Sequence, residues 1–403
     1  MIMLKFPLRL SRFCWLWIGQ TFIYCASQFW FVALTWLVLQ KTGSGIALGS
    51  VLIAAAVPRG ILMLVGGAIS DRFPPNTVAA ISTAFNTLLA GTLTLLLFDN
   101  DFSLSRVILI SGLFGISESF LYPATLALLP CIVQRSRLIQ ANAWMQGSEQ
   151  ISNVLGPALA GAAIGRFGLT TAFALNATLF FIGTGCIYLV KTYKSSARAS
   201  LGLHTLVMEI LEGVQYARKH PGIRISLLLI AMINFAILGP IVVGVAELVS
   251  SRLGGGAIIF GYLQSAYGFG ALLGVLIASR LGTVKQLQMP LIWLASFLGV
   301  GLSALGFVFQ TWIAASIILS MGIGGGIVGV LALSWLQKET ASSMQGRMMS
   351  LVMFSAVALD PFSQAISGVL LEVSLTALFS GAGMIMLVTS LVTFLGQHRA
   401  FSQ

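Results

Sequence analysis

Charged residues are scarce in this chain. Asp, Glu, Lys and Arg make up 8% of its 403 residues, whereas a soluble domain carries about 25%. Hydrophobic residues make up 57%, and the mean hydropathy is +0.96. A soluble fold cannot hide that much apolar surface, so the composition excludes one. The net charge of +11 comes from basic residues between apolar runs, with no basic face interleaved with aromatics, and this pattern excludes a nucleic-acid partner.

Residues that would support redox or metal chemistry are also scarce. The four cysteines, Cys14, Cys25, Cys131 and Cys186, are far apart and form neither a CxxC pair nor a disulfide framework. The three histidines fall outside the apolar runs, so a zinc site or a histidine relay inside the membrane would have no histidine ligands. No phosphate-cradling P-loop occurs, which argues against a built-in ATP motor. We therefore expect no metal and no cofactor. We also expect no enzyme activity, because no paired catalytic constellation appears in a predicted span.

Long apolar runs fill the rest of the sequence. A helix crosses a bilayer with roughly 20 apolar residues, and the first run, from Phe13 to Leu39, is too long for a cleaved signal peptide. The sequence predicts an all-α membrane protein with twelve transmembrane helices. Their predicted ranges are 13–39, 45–69, 77–98, 104–130, 138–165, 170–190, 223–250, 257–279, 287–309, 311–336, 348–372 and 375–396.

The basic residues predict the orientation of these helices. With the N-terminus in the cytoplasm, 17 of the 22 Lys and Arg residues would face the cytoplasm. Four would face outside, Lys41, Arg106, Arg166 and Arg252, and Arg59 would lie within a helix. This bias follows the positive-inside rule, so we expect a multi-pass protein with both termini in the cytoplasm.

The longest polar segment, residues 191–222, lies midway along the chain. Its apolar residues between Leu203 and Tyr216 recur with the spacing of one helix face. This pattern predicts an amphipathic linker helix on the cytoplasmic membrane surface. We therefore predict two pseudo-symmetric six-helix bundles, residues 1–190 and 223–403, joined by this linker.

A weak internal repeat supports two related halves. Three residues near the ends of helices two and eight recur at an interval of 208 positions. The pairs are Gly60 with Gly268, Gly66 with Gly274, and Arg72 with Arg280. Transporters are often built from such repeats.

A charged motif follows predicted helix two, with the sequence Gly67-Ala-Ile-Ser-Asp71-Arg72-Phe73. A short loop with a carboxylate and a guanidinium can hold neighbouring helix ends together. The motif resembles the signature loop of the major facilitator superfamily, although Pro74-Pro75-Asn76 replaces its usual basic continuation. The resemblance implies a cytoplasmic gate formed by Gly67, Asp71 and Arg72; an ordinary charged turn is the alternative.

Helix five carries a second motif, a row of small residues with one proline. Its members are Gly147, Gly156, Pro157 and Gly161. Small residues permit close helix packing, and proline bends a helix by removing a backbone donor. The row resembles the antiporter motif of the same superfamily, which occurs chiefly in exporters.

The first half also resembles one branch of this superfamily, which contains macrolide-efflux proteins and the enterobactin exporter. The resemblance is carried by Leu48–Phe73, Phe120–Pro130 and the segment that begins at Leu138. It implies a transporter of the bacterial cytoplasmic membrane that exports drugs, antibiotics or siderophores, typically by proton antiport. Two positions depart from proton-coupled relatives: Ile108 stands where many carry arginine, and Ser27 where an acidic residue is usual.

Four ionisable residues are predicted to lie inside the membrane: Arg59, Glu118, Glu149 and Asp360. Each lies roughly 16 to 20 Å from the cytoplasmic end of its predicted helix, at about the midplane. Such residues usually face a cavity or a partner. In the fold of this superfamily, helix two neighbours helix four in one half and helix eleven in the other, so Arg59 could pair with Glu118, with Asp360, or with each in turn.

A carboxylate without a permanent cation favours its protonated form inside the membrane. We expect Glu118 to couple proton movement to export, with Glu149 as the second candidate. Simple neutralisation of Glu118 by Arg59 is the alternative.

Several polar and aromatic residues could line an amphipathic cavity for substrate. The candidates are Gln28, Trp30, Tyr122, Asn153, Asn234, Gln264 and Tyr267. The expected partners are protons, the lipid bilayer and a small molecule, and we expect the protein to work as a monomer. Beyond drug efflux, the sequence leaves open a siderophore or metabolite exporter and a transport-inactive receptor.

Overall fold

The chain is described from a computed structural model. It describes residues 11–134, 137–190, 214–281, 287–340, 348, 351 and 359–401. All the secondary-structure elements that these residues form are helices, as predicted. The chain divides into two compact units, the first formed by Met1–Lys41 with Ala54–Leu203 and the second by Thr42–Ile53 with His204–Gln403.

The first unit contains long apolar helices joined by short turns. They are α1 (Ser11–Thr42), most of α2 (Gly45–Arg72), α3 (Pro75–Phe98), α4 (Leu104–Ile132) and α5 (Leu138–Tyr188). Their bounds agree with the predicted spans to within a few residues. The turn between α3 and α4 is closed by an exposed ion pair between Asp101 and Arg106.

One break divides α5 into the two spans predicted at 138–165 and 170–190. Gly168 has φ of +82° and ψ of 171°, a conformation that side chains with a Cβ rarely adopt. Pro157 lies within the first part. The predicted separation of helices five and six is therefore present, as a sharp bend at a single glycine.

The prediction of a charged loop after helix two is wrong in its secondary structure. The helix α2 continues through Asp71 to Arg72, so Gly67, Asp71 and Arg72 belong to its last turns. The hydroxyl of Ser70 donates to the carbonyl of Gly66, and the amide of Phe73 still donates to Ile69. The turn comprises only Phe73 and Pro74, and α3 starts at Pro75. Neither proline nitrogen carries a hydrogen that could extend the hydrogen-bond ladder of α2.

After a helical stretch at residues 214–219, the second unit contains an irregular helix. It comprises α6 (Pro221–Gly239), a π-helical segment Pro240–Gly244, α7 (Val245–Leu248) and a second π-helical segment Val249–Leu253. The remaining helices are α8 (Gly256–Leu281), α9 (Gln288–Leu305), α10 (Thr311–Glu339), α11 (Asp360–Val373) and α12 (Leu375–Phe401). The main helix pairs are α8 with α10, α9 with α12, and α6 with α11.

The start of α2 is also part of the second unit. A carboxylate oxygen of Glu372, near the end of α11, accepts hydrogen bonds from the hydroxyl of Ser44 at 2.7 Å and the amide of Ile46 at 3.3 Å. A Cβ on Gly49 would touch the backbone of α11 at Gln364, 3.5 Å away. The expected neighbourhood of helices two and eleven is therefore present.

Among the described residues, ten helical stretches are long and apolar enough to cross a bilayer. One of them, Gln140–Tyr188, contains two of the predicted spans. The predicted span 348–372 lies partly outside the described residues; most of its described part belongs to α11. Most of the predicted linker, residues 191–213, lies outside them as well, while residues 214–219 are helical.

Candidate functional site

The backbones of α2 and α4 come into contact at two points in the first unit. A Cβ on Gly115 would overlap the carbonyl oxygen of Ala55, and a Cβ on Gly66 would overlap that of Ser119. Arg59 lies one turn after Ala55, and Glu118 lies one turn after Gly115. The two glycines therefore allow α2 and α4 to approach at the level of the two charged residues.

Glu118 receives a hydrogen bond from a residue that the sequence did not point to. Nδ2 of Asn86, on α3, donates to Oε1 of Glu118 at 3.0 Å. Asn86 is fully buried, and its amide oxygen has no hydrogen-bond partner among the described residues. One residue before Glu118, the hydroxyl of Ser117 donates to the carbonyl of Ser82 at 2.9 Å and fixes α4 against α3. The carboxyl group is therefore held in place.

Arg59 acts on Glu118 without contacting it. The guanidinium lies within electrostatic range of the carboxylate, but no nitrogen of Arg59 comes within the 4.0 Å of a contact ion pair in the described part of the chain. Arg59 is accessible, whereas the Glu118 side chain is partly buried. The arrangement differs from a closed pair in which the two charges simply cancel.

Glu149 lies on α5, in the same region of the first unit as two phenol groups. Tyr24 on α1 and Tyr122 on α4 both lie within electrostatic range of its carboxylate, and Tyr122 is also within range of Arg59. Glu149 has no hydrogen bond or ion pair to another described residue. Tyr122 is 37% exposed, so part of its ring is not covered by other residues of the chain.

The predicted cavity residues of the first unit have different surroundings. Nε2 of Gln28 donates to Oδ1 of Asn153 at 2.7 Å and so joins α1 to α5. Trp30 is packed in the core, stacked on Phe114 with ring centroids 4.4 Å apart and edge-on to Phe173. A role for Trp30 in substrate contact stays a prediction.

The glycines of the helix-five motif differ in their surroundings: Gly156 packs against α1, whereas no other described residue packs against Gly147. A Cβ on Gly156 would lie 2.7 Å from Cβ of Gln28, whereas a Cβ on Gly147 would meet nothing within 4 Å. Pro157 and Gly161 are buried. Gly156 therefore allows the close approach of α1 and α5 that the Gln28–Asn153 hydrogen bond requires.

In the second unit, two of the predicted cavity residues, Asn234 and Gln264, donate side-chain hydrogen bonds to backbone carbonyl groups. Nδ2 of Asn234 donates to the carbonyl of Ile230 on its own helix at 2.9 Å. Nε2 of Gln264 donates at 3.2 Å to Ile241, within the first π-helical segment. Tyr267 lies against the glycine-rich face of α10, where a Cβ on Gly325 would be 3.4 Å from its hydroxyl oxygen. Asp360 is the first residue of α11 and is 9% exposed; its pairing with Arg59 stays a prediction.

The π-helical segments mark an irregular point in the same unit. Ser363 on α11 donates its hydroxyl to the carbonyl of Phe235 and accepts from the amide of Gly239, just before the first π turn. Ser363 and Gln264 therefore both form hydrogen bonds with backbone groups at or beside the first π-helical segment. Such π turns are frequent at functional sites, and hydropathy alone gave no signal for them.

A family comparison agrees with this architecture. The family model of the Major Facilitator Superfamily matches residues 16–359. The chain belongs to this superfamily of transporters, and it has the all-helical membrane fold of that family.

Curated relatives match most of the chain at low identity. An uncharacterized MFS-type transporter, y4rN of Sinorhizobium fredii, is 25% identical over 388 residues, 93% of this chain and 92% of that protein. The Enterobactin exporter EntS of Salmonella typhimurium is 27% identical, covering 85% of this chain and 82% of the exporter. Macrolide efflux protein A of Streptococcus pyogenes is 20% identical, covering 74% of each chain.

Solved structures share the fold at still lower identity. A crystal structure of the nucleoside transporter NupG has a TM-score of 0.80 at 10% identity, covering 95% of this chain and 99% of that chain. A bacterial homologue of the iron transporter ferroportin, in an inward-facing state, has a TM-score of 0.74 at 17% identity, covering 97% and 99%. These likenesses show the fold alone.

Proposed function

We propose that this secondary transporter exports amphipathic small molecules by proton antiport through alternating access, and that Glu118 carries the proton. The observation that supports the proposal is the setting of Glu118. Its carboxyl group is held by Asn86 within the field of Arg59, but it forms no contact ion pair with a residue of the described part of the chain. Such a group can take up and release a proton when its surroundings change.

The chemistry of the cycle follows from these neighbours. Hydrogen bonding from Asn86 and the positive charge of Arg59 both favour the ionised carboxylate, whereas removal from water favours the protonated acid. A movement that brings Arg59 closer releases the proton, and one that takes it away allows protonation. Because Arg59 is accessible and forms no contact ion pair with another described residue, this distance can change.

The relatives support export and an amphipathic substrate. Two of them are named as an enterobactin exporter and a macrolide efflux protein. The Tyr122 and Glu149 region of the first unit provides aromatic surface beside a carboxylate, a combination that suits a molecule with apolar and polar parts. A siderophore exporter is the second candidate, because the enterobactin exporter matches a larger share of the chain, at higher identity, than the macrolide protein does.

The test is transport by purified protein in liposomes, with tetraphenylphosphonium, erythromycin and enterobactin as probes. Wild-type protein should drive at least one probe against its gradient when a pH gradient is imposed. Glu118→Gln should lose this gradient-driven transport and keep probe exchange at equal concentrations, because exchange needs no net proton movement.

Glu339→Gln is the matched control. It makes the same chemical change at an exposed carboxylate in the last turn of α10, and it should behave like wild type. Gradient-driven transport by Glu118→Gln at the wild-type rate and with the wild-type pH dependence would show that Glu118 does not carry the proton. Absence of flux for all three probes in the wild type would favour a transport-inactive receptor.

A further inference from the structure

Glu149 is a second membrane acid, and its surroundings differ from those of Glu118. Glu118 has a hydrogen bond from Asn86 and lies in the field of Arg59. Glu149 has neither a hydrogen bond nor an ion pair to any other described residue, although its side chain is partly buried. An ionised carboxylate at membrane depth is costly without a partner, so Glu149 is suited to a partner that the protein itself does not supply.

The residues around Glu149 offer aromatic faces and an amide. Tyr24 lies on α1 two turns after Trp17 and one turn before Gln28, and both of these residues contact α5. Tyr24, and Tyr122 on α4, lie within electrostatic range of the Glu149 carboxylate. Gln20 lies one turn before Tyr24 on α1. Gln20 is 3% exposed, and its amide oxygen has no hydrogen-bond partner among the described residues. A buried acceptor without a partner is costly unless a ligand or water satisfies it.

The helices that carry these residues are fixed on both sides of Glu149. On one side, the rings of Trp17 and Trp144 meet edge to face, with centroids 5.8 Å apart. On the other side, Gln28 and Asn153 share the 2.7 Å hydrogen bond between α1 and α5. Glu149 lies between Trp144 and Asn153 on α5, so its distance from α1 is set before any ligand arrives. A site formed in advance loses less free energy on binding.

We propose that Glu149, Tyr24 and Tyr122 form a subsite that binds the cationic group of an amphipathic organic cation. The carboxylate neutralises the charge, and the electron-rich faces of the two phenols attract it. The proposal rests on the proposed transport function and names the substrate class. It gives the two acids different tasks: Glu118 carries the proton, and Glu149 binds the cationic group.

The test is equilibrium binding to purified protein in lipid nanodiscs. Tetraphenylphosphonium is the cationic probe, because it has no proton to lose and its binding cannot depend on its own titration. Chloramphenicol is the neutral probe. Glu149→Gln should weaken tetraphenylphosphonium binding about tenfold or more and leave chloramphenicol binding unchanged. Glu149→Asp should retain most of the affinity, Tyr122→Leu should lose about threefold, and Tyr122→Phe should lose less.

Two further measurements separate the outcomes. Glu339→Gln should bind both probes as wild type does, and Glu149→Gln should retain the folded elution profile of the wild type in detergent. Equal tetraphenylphosphonium affinity in wild type and Glu149→Gln, or no binding by the wild type, overturns the subsite.

Unchanged binding with lost pH-driven transport in Glu149→Gln would make Glu149 a proton site instead. Unaltered pH-driven transport in Glu118→Gln would overturn the proposed proton role and leave the subsite standing.

Discussion

The contact of α2 with α4 and the contact of α8 with α10 occupy related places in the two halves of the chain. The interval of 208 residues that relates Gly66 to Gly274 also relates Arg59 to Tyr267 and Glu118 to Gly326. In the first half, Arg59 and Glu118 lie between two points of backbone contact. In the second half, a Cβ on Gly326 would overlap the carbonyl oxygen of Ala271.

The difference shows how one architecture serves two purposes. Four glycines allow the backbones of α8 and α10 to come into contact along the two helices. They are Gly270, Gly274, Gly322 and Gly326. Close packing of this kind is the main source of helix association in lipid. In α2 and α4, the same region contains charge, which is costly in the membrane and is kept there for function. The first unit therefore contains the candidate proton site, while the second contains a tightly packed helix pair.

The largest expected effect comes from placing a bulky side chain at these two close helix contacts. Gly115→Leu in the first half and Gly274→Leu in the second place a side chain where the facing backbone already lies. Overpacking costs about 1–3 kcal/mol or more, so both variants should yield little monodisperse protein in detergent. Fluorescence-detected size-exclusion chromatography measures this yield.

Gly91→Leu and Gly381→Leu are the matched controls, one in each unit, because a Cβ at either position meets nothing within 4 Å. Both should elute as the wild type does. Normal yields of Gly115→Leu and Gly274→Leu would show that the two helix pairs are less closely packed than described.

A smaller effect should distinguish the contact of α2 with α4, which contains charged residues, from the contact of α8 with α10, which is uncharged. Arg59→Gln removes the positive charge that favours ionised Glu118, so Glu118 should keep its proton to higher pH. The pH profile of gradient-driven transport should shift to the alkaline side by roughly one unit. Arg59→Lys should shift it less, and Tyr267→Phe, the change at the related position, should leave the profile where it is. An unchanged profile in Arg59→Gln would show that Arg59 does not act on the proton carrier.

The smallest effect compares two arginines that are predicted to lie outside. Arg252 donates to the carbonyl of Gly306 at 2.6 Å and to Thr376 Oγ1 at 2.8 Å, and it lies 5.1 Å from the ring centre of Phe309. Arg106 makes an exposed ion pair with Asp101. Arg252→Ala should destabilise the protein by about 1–3 kcal/mol, and Arg106→Ala by less than about 1 kcal/mol. Thermal unfolding in detergent measures both, and equal losses would contradict the described contacts of Arg252.

Much of the fold could be predicted from hydropathy because the bilayer sets the length of each helix. The break at Gly168 was expected from a short polar interval between two apolar runs. The end of α2 was misplaced because charged residues such as Asp71 and Arg72 were taken as a loop, although a charged residue can stay helical at a membrane surface. The two π-helical segments leave the apolar pattern unchanged, so only coordinates reveal them.

The candidate site could be predicted in part. Glu118 and Glu149 stand out in a chain with 11 acidic residues, because ionisable groups within apolar runs are rare. Asn86 was missed because a neutral amide in an apolar run is less conspicuous than a charge, and its pairing with Glu118 depends on how α3 faces α4. Gly115 was missed for a similar reason, since its role depends on the position of Ala55 across the contact.

Counting protons and substrate in the same liposomes tests the central assignment most directly. A trapped pH indicator would report proton movement while a transported probe runs down its own concentration gradient. Wild-type protein should move protons against the direction of the probe, and Glu118→Gln should move the probe without protons. Proton movement by Glu118→Gln in the wild-type ratio to the probe would contradict the account.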